Sequence, residues 1–262
     1  MLLKISDLDI SYNGNATVKN VNLELQEQEV IAIVGESGSG KTTLIRAIMS
    51  CLPTAATVTN GSILFNGVDI LKNTPKQNRA LCGHDISMIF QDTGNMINPI
   101  RKIGTQYIDY ILNHAPNLDK NQAYTIATEM LLKVHLPNPE NIMSSYPFEL
   151  SGGMRQRVGI AMSLTFNPKI LLADEPTSAL DVTTQAQIVR QMMDIKKEFS
   201  TAIIIVTHNI GVASFMADKI IVMKNGVIVE SGSCEQVIKN PQHEYTQKLL
   251  DSVIEIGGKR FV

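Results

Sequence analysis

Eight consecutive residues, Gly35-Glu36-Ser37-Gly38-Ser39-Gly40-Lys41-Thr42, have the types and spacing G-x-x-x-x-G-K-[ST]. Such a loop cradles phosphate. Its glycines let the backbone come close, and successive N–H groups point at the anion. A helix starting at the end of the loop adds its positive pole. Lys41 is placed to reach β- and γ-phosphates, the Thr42 hydroxyl to ligate Mg²⁺, and Thr43 to open the helix beside them. A second run, Ile170-Leu171-Leu172-Ala173-Asp174-Glu175, is apolar and ends in two acids. An acid at the carboxyl end of a strand beside a phosphate loop is where Mg²⁺ needs a negative partner, a role for Asp174. Glu175, one residue on, would face the γ-phosphate and polarise an attacking water.

The elements that must hold these groups are readable nearby. Val30 to Val34 reads as a buried strand and Thr43 to Met49 as a helix, so the loop lies in a strand–loop–helix context. Before it, residues near Ile5, Leu8 and Ile10, and the alternating Val21, Leu23 and Leu25, read as strands around the turn signal Tyr12-Asn13-Gly14-Asn15. Ser62 to Phe65 reads as a strand entering a tight Asn66-Gly67 turn, and Ile86 to Phe90 as another strand. From about residue 101 to 150 the apolar spacing becomes helical, with Ile103, Tyr107, Ile108 and Ile111, then Ala123, Ala127, Met130 and Val134. From Ile170 strands alternate with helices again: Ile170 to Ala173, Ala202 to Val206 and Ile220 to Met223 as buried strands, Gln185 to Phe199 as a helix. That alternation argues for a largely parallel core sheet in an α/β fold.

The bulk composition bounds the rest. The chain has 262 residues, 44% hydrophobic and 18% charged, enough for a sizeable core. A formal net charge of −2 gives no global basic field for nucleic acid. Cys51, Cys82 and Cys234 form neither a disulfide framework nor a metal pair, which fits a reducing cytoplasm. The N-terminal residues lack a signal-peptide layout, and no apolar run is long enough to span a bilayer.

Four further stretches occur in a telling order. Leu150-Ser151-Gly152-Gly153-Met154-Arg155-Gln156-Arg157 resembles the LSGGQ-type signature of ABC ATPases. Ser178-Ala179-Leu180-Asp181 resembles their D-loop, His208 after Thr207 their switch histidine, and Gln91 after Ile89-Phe90 their Q-loop glutamine. Tyr12 stands where the family keeps an aromatic residue against adenine. The resemblance covers nearly the whole chain. It implies a P-loop NTPase fold of the ABC type, with an antiparallel β subdomain and an inserted helical subdomain. The expected division is a RecA-like core with its β subdomain at 1–100 and 151–240, a helical subdomain at 101–150 and a short tail at 241–262.

The resemblance also assigns roles. ATP and Mg²⁺ are the implied cofactors, with Thr42, Gln91 and Asp174 on the metal, and Glu175, His208 and Lys41 in catalysis. Ser151, Gly152 and Gly153 open a helix running to about Leu164, and its bare N–H groups form an anion site. By resemblance that anion is the γ-phosphate held by an opposite subunit, so two nucleotide domains sandwich two ATPs. Arg155 and Arg157 read equally as nucleotide contacts or as solvated helix charges.

Within the family, several stretches resemble the oligopeptide/dipeptide/nickel importer branch. They include Tyr146-Pro147-Phe148-Glu149 running into the signature, Ala173 to Thr183, and Asn240-Pro241-Gln242-His243-Glu244-Tyr245-Thr246-Gln247-Lys248-Leu249-Leu250. Met154 looks like the D-type subunit. That branch implies a paralogous ATPase partner (a homodimer being possible), two membrane permeases, an extracellular binding protein, and a place at the cytoplasmic face of the membrane. Two departures stand out. Thr93-Gly94-Asn95-Met96 replaces the branch's proline and methionine after the Gln91-Asp92 pair, and no cysteine follows Cys234, so no iron–sulfur cluster is expected. The short tail leans toward nickel- or metal-complex-type members. The rival readings are an exporter or lipoprotein-release ATPase, and a non-transport ABC ATPase acting on nucleic acid or the ribosome. Against the second, the stretch between Thr42 and Asp174 carries no heptads and the chain has one cassette.

Overall fold

A computed structural model describes residues 1–91, 96–177, 182–251, 255–256 and 259–260. The chain divides into two compact units: Met1–Ala80 with Ser200–Val262, and Leu81–Phe199.

The first unit opens on a long antiparallel ladder. β1 (Leu3–Tyr12) pairs with β2 (Asn15–Leu25), placing Leu3, Ile5, Leu8 and Ile10 with Val18, Val21, Leu23 and Leu25 in the core. Asn13 and Gly14 both have positive φ, as the two-residue turn joining right-twisted strands requires. β3 (Val30–Val34) is buried at every position and leads through the glycine loop into α1 (Lys41–Ile48). β4 (Ala56–Phe65) pairs antiparallel with β1 and, through Asn66-Gly67, with β5 (Val68–Asp69), giving the order β2-β1-β4-β5. The first half of β4 reaches six residues further back than its apolar end suggests. Its side chains from Thr57 to Asn60 are mostly exposed, so the ladder to β1 builds it rather than a hydrophobic face. α2 (Pro75–Leu81) was equally silent in apolar pattern because it buries no residue. It is announced instead by a Thr74 and Gln77 pair that bond each other's side chain and backbone at the helix start.

The second unit contains β6 (Ile86–Ile89), the helices α3 (Ile103–His114), α4 (Lys120–Lys133) and α5 (Pro139–Ser144), then α6 (Gly152–Leu164), β7 (Ile170–Asp174) and α7 (Val182–Phe199). β6 and β7 pair in parallel, Ile86 opposite Ile170 and Ile89 opposite Ala173. Tyr107, Ile111, Ala123, Ala127, Leu131, Val158, Ala161 and Leu164 are fully buried here. A buried hydroxyl in that core is satisfied: Tyr107 and Thr165 share a 2.9 Å hydrogen bond. Asp119 and Gln122 close a reciprocal cap at the start of α4.

The chain then returns to the first unit with β8 (Ala202–Thr207), α8 (Ile210–Met216), β9 (Lys219–Lys224), β10 (Val227–Ser233), α9 (Cys234–Lys239) and α10 (Glu244–Asp251). β3 lies between β8 and β9, parallel to both, while β10 runs antiparallel along β9. β3 and β8 are buried throughout, the near-continuous apolar run of a strand covered on both faces. No helix among the described residues is long and apolar enough to cross a membrane.

Candidate nucleotide site

In the first unit the glycine loop is held by its surroundings as much as by its own turns. β3 ends at Val34 opposite Thr207 of β8 and Val222 of β9. A Cβ on Gly35 would run into the Met223 carbonyl oxygen, so only glycine lets the chain leave β3 this close to β9. Ser39 N–H donates to Glu36 C=O, and the Gly226 N–H of the β9–β10 turn donates to Ser39 C=O. Gly40 stands at φ 99, left-handed, immediately before α1, and no side chain caps the helix. The positive pole of α1 thus faces the loop, the placement that favours an anion there. The same residue packs on Thr17 and Val18 of β2, which follow the Tyr12 to Asn15 turn.

Lys41 is 5% exposed, and its ammonium bonds within the loop. It donates to Gly35 C=O and Glu36 C=O at 2.7 Å each, and to Ser39 Oγ at 3.3 Å. Burying an ammonium is tolerable only with such acceptors. Thr42 is half-buried and Thr43 buried on α1. His208 follows Thr207 at the carboxyl end of β8 and is exposed. Asn209 beside it caps α8, accepting from Gly211 N–H at 2.9 Å. Since Thr207 pairs with Val34, His208 and Gly35 leave adjacent strands at the same level. Tyr12 is the last residue of β1, half-exposed, opposite Asn15 and Ala56.

In the second unit the acids end β7. Asp174 is 3% exposed. Glu175 sits at φ 44, a left-handed conformation that costs a non-glycine residue about 1–2 kcal/mol and marks functional sites. Gln91 Nε2 approaches Glu175 Oε2 at 3.4 Å, so the Q-loop glutamine and the second acid meet. Ser151 Oγ accepts from Met154 N–H at 3.3 Å and starts α6, leaving Gly152 exposed and Gly153 half-exposed at its tip. The two open arginines are now placed. Arg155 Nη1 donates to Leu150 C=O at 2.6 Å, and Arg157 donates to His135 C=O and to Gln187. Both brace loops against α6. Asp181 and its D-loop, and the Q-loop positions 92–95, lie outside the described residues.

Two groups escaped sequence reasoning. Gln156, within the signature itself, is buried and donates to Pro176 C=O at 2.9 Å, tying α6 to the residue after Glu175. The Tyr245 hydroxyl accepts the Glu36 N–H at 2.9 Å. The first had a signal, an uncharged amide on the buried face of an otherwise charged helix segment.

Residues 18–178 match the family model described as ABC transporter, and residues 229–261 the one described as oligopeptide/dipeptide transporter, C-terminal region. The chain belongs to the ABC transporter ATP-binding family. It falls in the oligopeptide/dipeptide branch and is an ATPase that powers transport. The oligopeptide transport ATP-binding protein OppD of Bacillus subtilis is 44% identical, over 98% of this chain and 74% of its own. The dipeptide transport ATP-binding protein DppD of Lactococcus lactis is 39% identical, over 96% of this chain and 73% of its own. A solved dimeric ATP-binding cassette, MJ0796, in a post-hydrolysis state bound to ADP and Pi, has a TM-score of 0.77 at 27% identity. That likeness covers 89% of this chain and 99% of the other.

Proposed function

We propose that this chain is the ATP-binding and ATP-hydrolysing subunit of an importer of oligopeptides or dipeptides. The observation that carries the cargo class is the match of residues 229–261 to the oligopeptide/dipeptide C-terminal region, on a chain whose glycine loop is built for phosphate. Relatives named for peptide transport favour peptides over nickel or metal complexes, and importers over exporters. Membrane permeases and a second, paralogous ATP-binding subunit are the partners, at the cytoplasmic face of the membrane. The dimeric state of the solved cassette supports the pairing. A binding protein outside the cell would deliver the cargo. The helical stretch 101–150 serves as an inserted subdomain.

Lys41 and the N–H groups at the start of α1 bind the β- and γ-phosphates, and Tyr12 stacks on adenine. Thr42, Gln91 and Asp174 offer a hydroxyl, an amide and a carboxylate, the hard oxygen donors suited to Mg²⁺. They would hold the ion, which when bound neutralises charge on the phosphates. Glu175 orients a water for in-line attack on the γ-phosphorus and takes up its proton, while Lys41 and His208 stabilise the charge on the transferring group. Ser151, Gly152 and Gly153, with Asp181, serve the partner's nucleotide.

The test uses tagged Glu175→Gln. ATP binding should persist while hydrolysis falls at least about a hundredfold, the scale of removing a group that activates water. Pulled from native membranes with ATP, it should bring two multi-span permeases and a second ATPase. The companions so identified, assembled with the wild-type chain in vesicles, should then show ATP-driven uptake of short peptides and none of nickel. Hydrolysis at the wild-type rate would remove Glu175 from its role. Recovery of ribosomes or DNA-repair proteins would remove the transport reading, and nickel-only uptake the cargo.

A further inference from the structure

The element from Asn240 to Leu250, which marks the branch in the sequence, takes no part in the chemistry above. Its place in the first unit is nonetheless well determined. The Glu230 carboxylate on β10 accepts from Gln242 N–H at 2.8 Å and from His243 N–H at 3.0 Å. His243 Nδ1 accepts from Tyr245 N–H at 3.1 Å, at the start of α10. These bonds deliver the Tyr245 ring into the unit, where it is 5% exposed, with the Lys224 ammonium 4.6 Å from its centroid. Its hydroxyl then meets the Glu36 N–H at 2.9 Å, across 209 positions of sequence. Burial first, then the Glu36 carboxylate, pushes the phenol above its ordinary range, so it remains protonated at physiological pH.

Glu36 is the second residue of the phosphate loop. The peptide that carries its N–H also carries the Gly35 C=O, and in a planar trans peptide these two groups point in opposite directions. One end is held by Tyr245. The other accepts the Lys41 ammonium at 2.7 Å. A peptide beside glycine is the easiest kind to rotate, because no Cβ opposes the turn. We propose that Tyr245 is a positioning residue of the nucleotide site: its hydroxyl fixes the Gly35–Glu36 peptide so that Gly35 C=O orients the Lys41 ammonium toward bound phosphate. The C-terminal region characteristic of the branch thereby reaches into the phosphate loop and sets its affinity for nucleotide. This rests on the reading that the loop 35–42 holds ATP.

Tyr245→Phe in the full chain keeps the ring and its burial and deletes only the hydroxyl. ATP and ADP dissociation constants, KM and kcat are measured beside the melting temperature. One hydrogen bond's worth of orientation predicts affinities for both nucleotides roughly three- to tenfold weaker, with KM rising in step. kcat should stay within about twofold, because Lys41 itself remains. A folded Tyr245→Phe variant with wild-type affinities overturns the proposal. A wild-type protein that binds no ATP removes the nucleotide reading beneath it. Amide exchange in the unaltered protein gives a second measure that needs no variant. The Glu36 amide should exchange slowly, and exchange at the rate of an exposed loop amide overturns the proposal.

Discussion

Replacing Gln156 by methionine should slow ATP hydrolysis while leaving ATP binding nearly intact. Methionine matches the length and flexibility of glutamine but has no amide. The side chain is 6% exposed, and its Nε2 is 2.9 Å from Pro176 C=O. Without it that buried carbonyl loses a partner, at about 1–3 kcal/mol. The neighbouring Glu175 is held at φ 44, itself worth about 1–2 kcal/mol of strain. Strain of that kind persists only while its surroundings over-determine it. If about 2 kcal/mol of restraint is lost, the residue relaxes toward extended backbone and the productive geometry falls about thirtyfold in population. kcat should drop by roughly ten- to a hundredfold on this reckoning. On the proposal that Lys41 and the glycine loop hold the nucleotide, the ATP dissociation constant should move by less than about twofold. Single-turnover phosphate release with a parallel fluorescent-nucleotide titration separates the two. A folded variant with wild-type kcat would refute the idea that Gln156 holds Glu175 in place.

Lys41→Ala should weaken ATP binding by about ten- to a hundredfold, the scale of a charge-assisted hydrogen bond, and nucleotide titration checks it. The loss should exceed that of Tyr245→Phe. Acid should destabilise the second unit through His114, whose imidazole is held below its ordinary 6.5 by burial first and then by His84. The unfolded chain binds that proton more readily than the folded one, so stability is full above about pH 6.5 and declines as pH falls from there toward the folded value. Melting temperatures between pH 7.5 and 5.5 should therefore slope less steeply in His114→Gln, and equal slopes would count against this cause.

Much of the candidate site's local shape was legible because it is set by neighbours in sequence. The eight-residue loop, the acids ending an apolar strand and the serine-glycine helix start each sit within a few residues, and short-range sterics fix their shape. The turns at Asn13-Gly14 and Asn66-Gly67 were legible for the same reason, both residues being at positive φ. What escaped is set by partners distant in sequence. Nothing near Arg155 says that its guanidinium ends on Leu150 C=O rather than on nucleotide. Nothing near Tyr245 points to residue 36. The early half of β4 and the whole of α2 lack an apolar face, so periodicity was blind to them. The α4 helix, by contrast, lies where the helical spacing of Ala123, Ala127, Met130 and Val134 says.

The carboxyl end of α4 is gripped twice. Arg157 on α6 holds His135 C=O at 3.0 Å, and Gln191 on α7 holds Val134 C=O at 2.6 Å. Carbonyls at a helix end usually look to water or to a glycine turn for partners. Here they are answered by two helices that follow much later in the chain, so α4 cannot fray from that end without releasing both. Local opening of α4 should therefore share one free energy with α6 and α7, and the three should behave as a single cooperative block in native-state exchange. Arg157 is also poorly replaced by lysine, since its fork serves His135 and Gln187 together. A change at any one of these positions is therefore felt by all three helices.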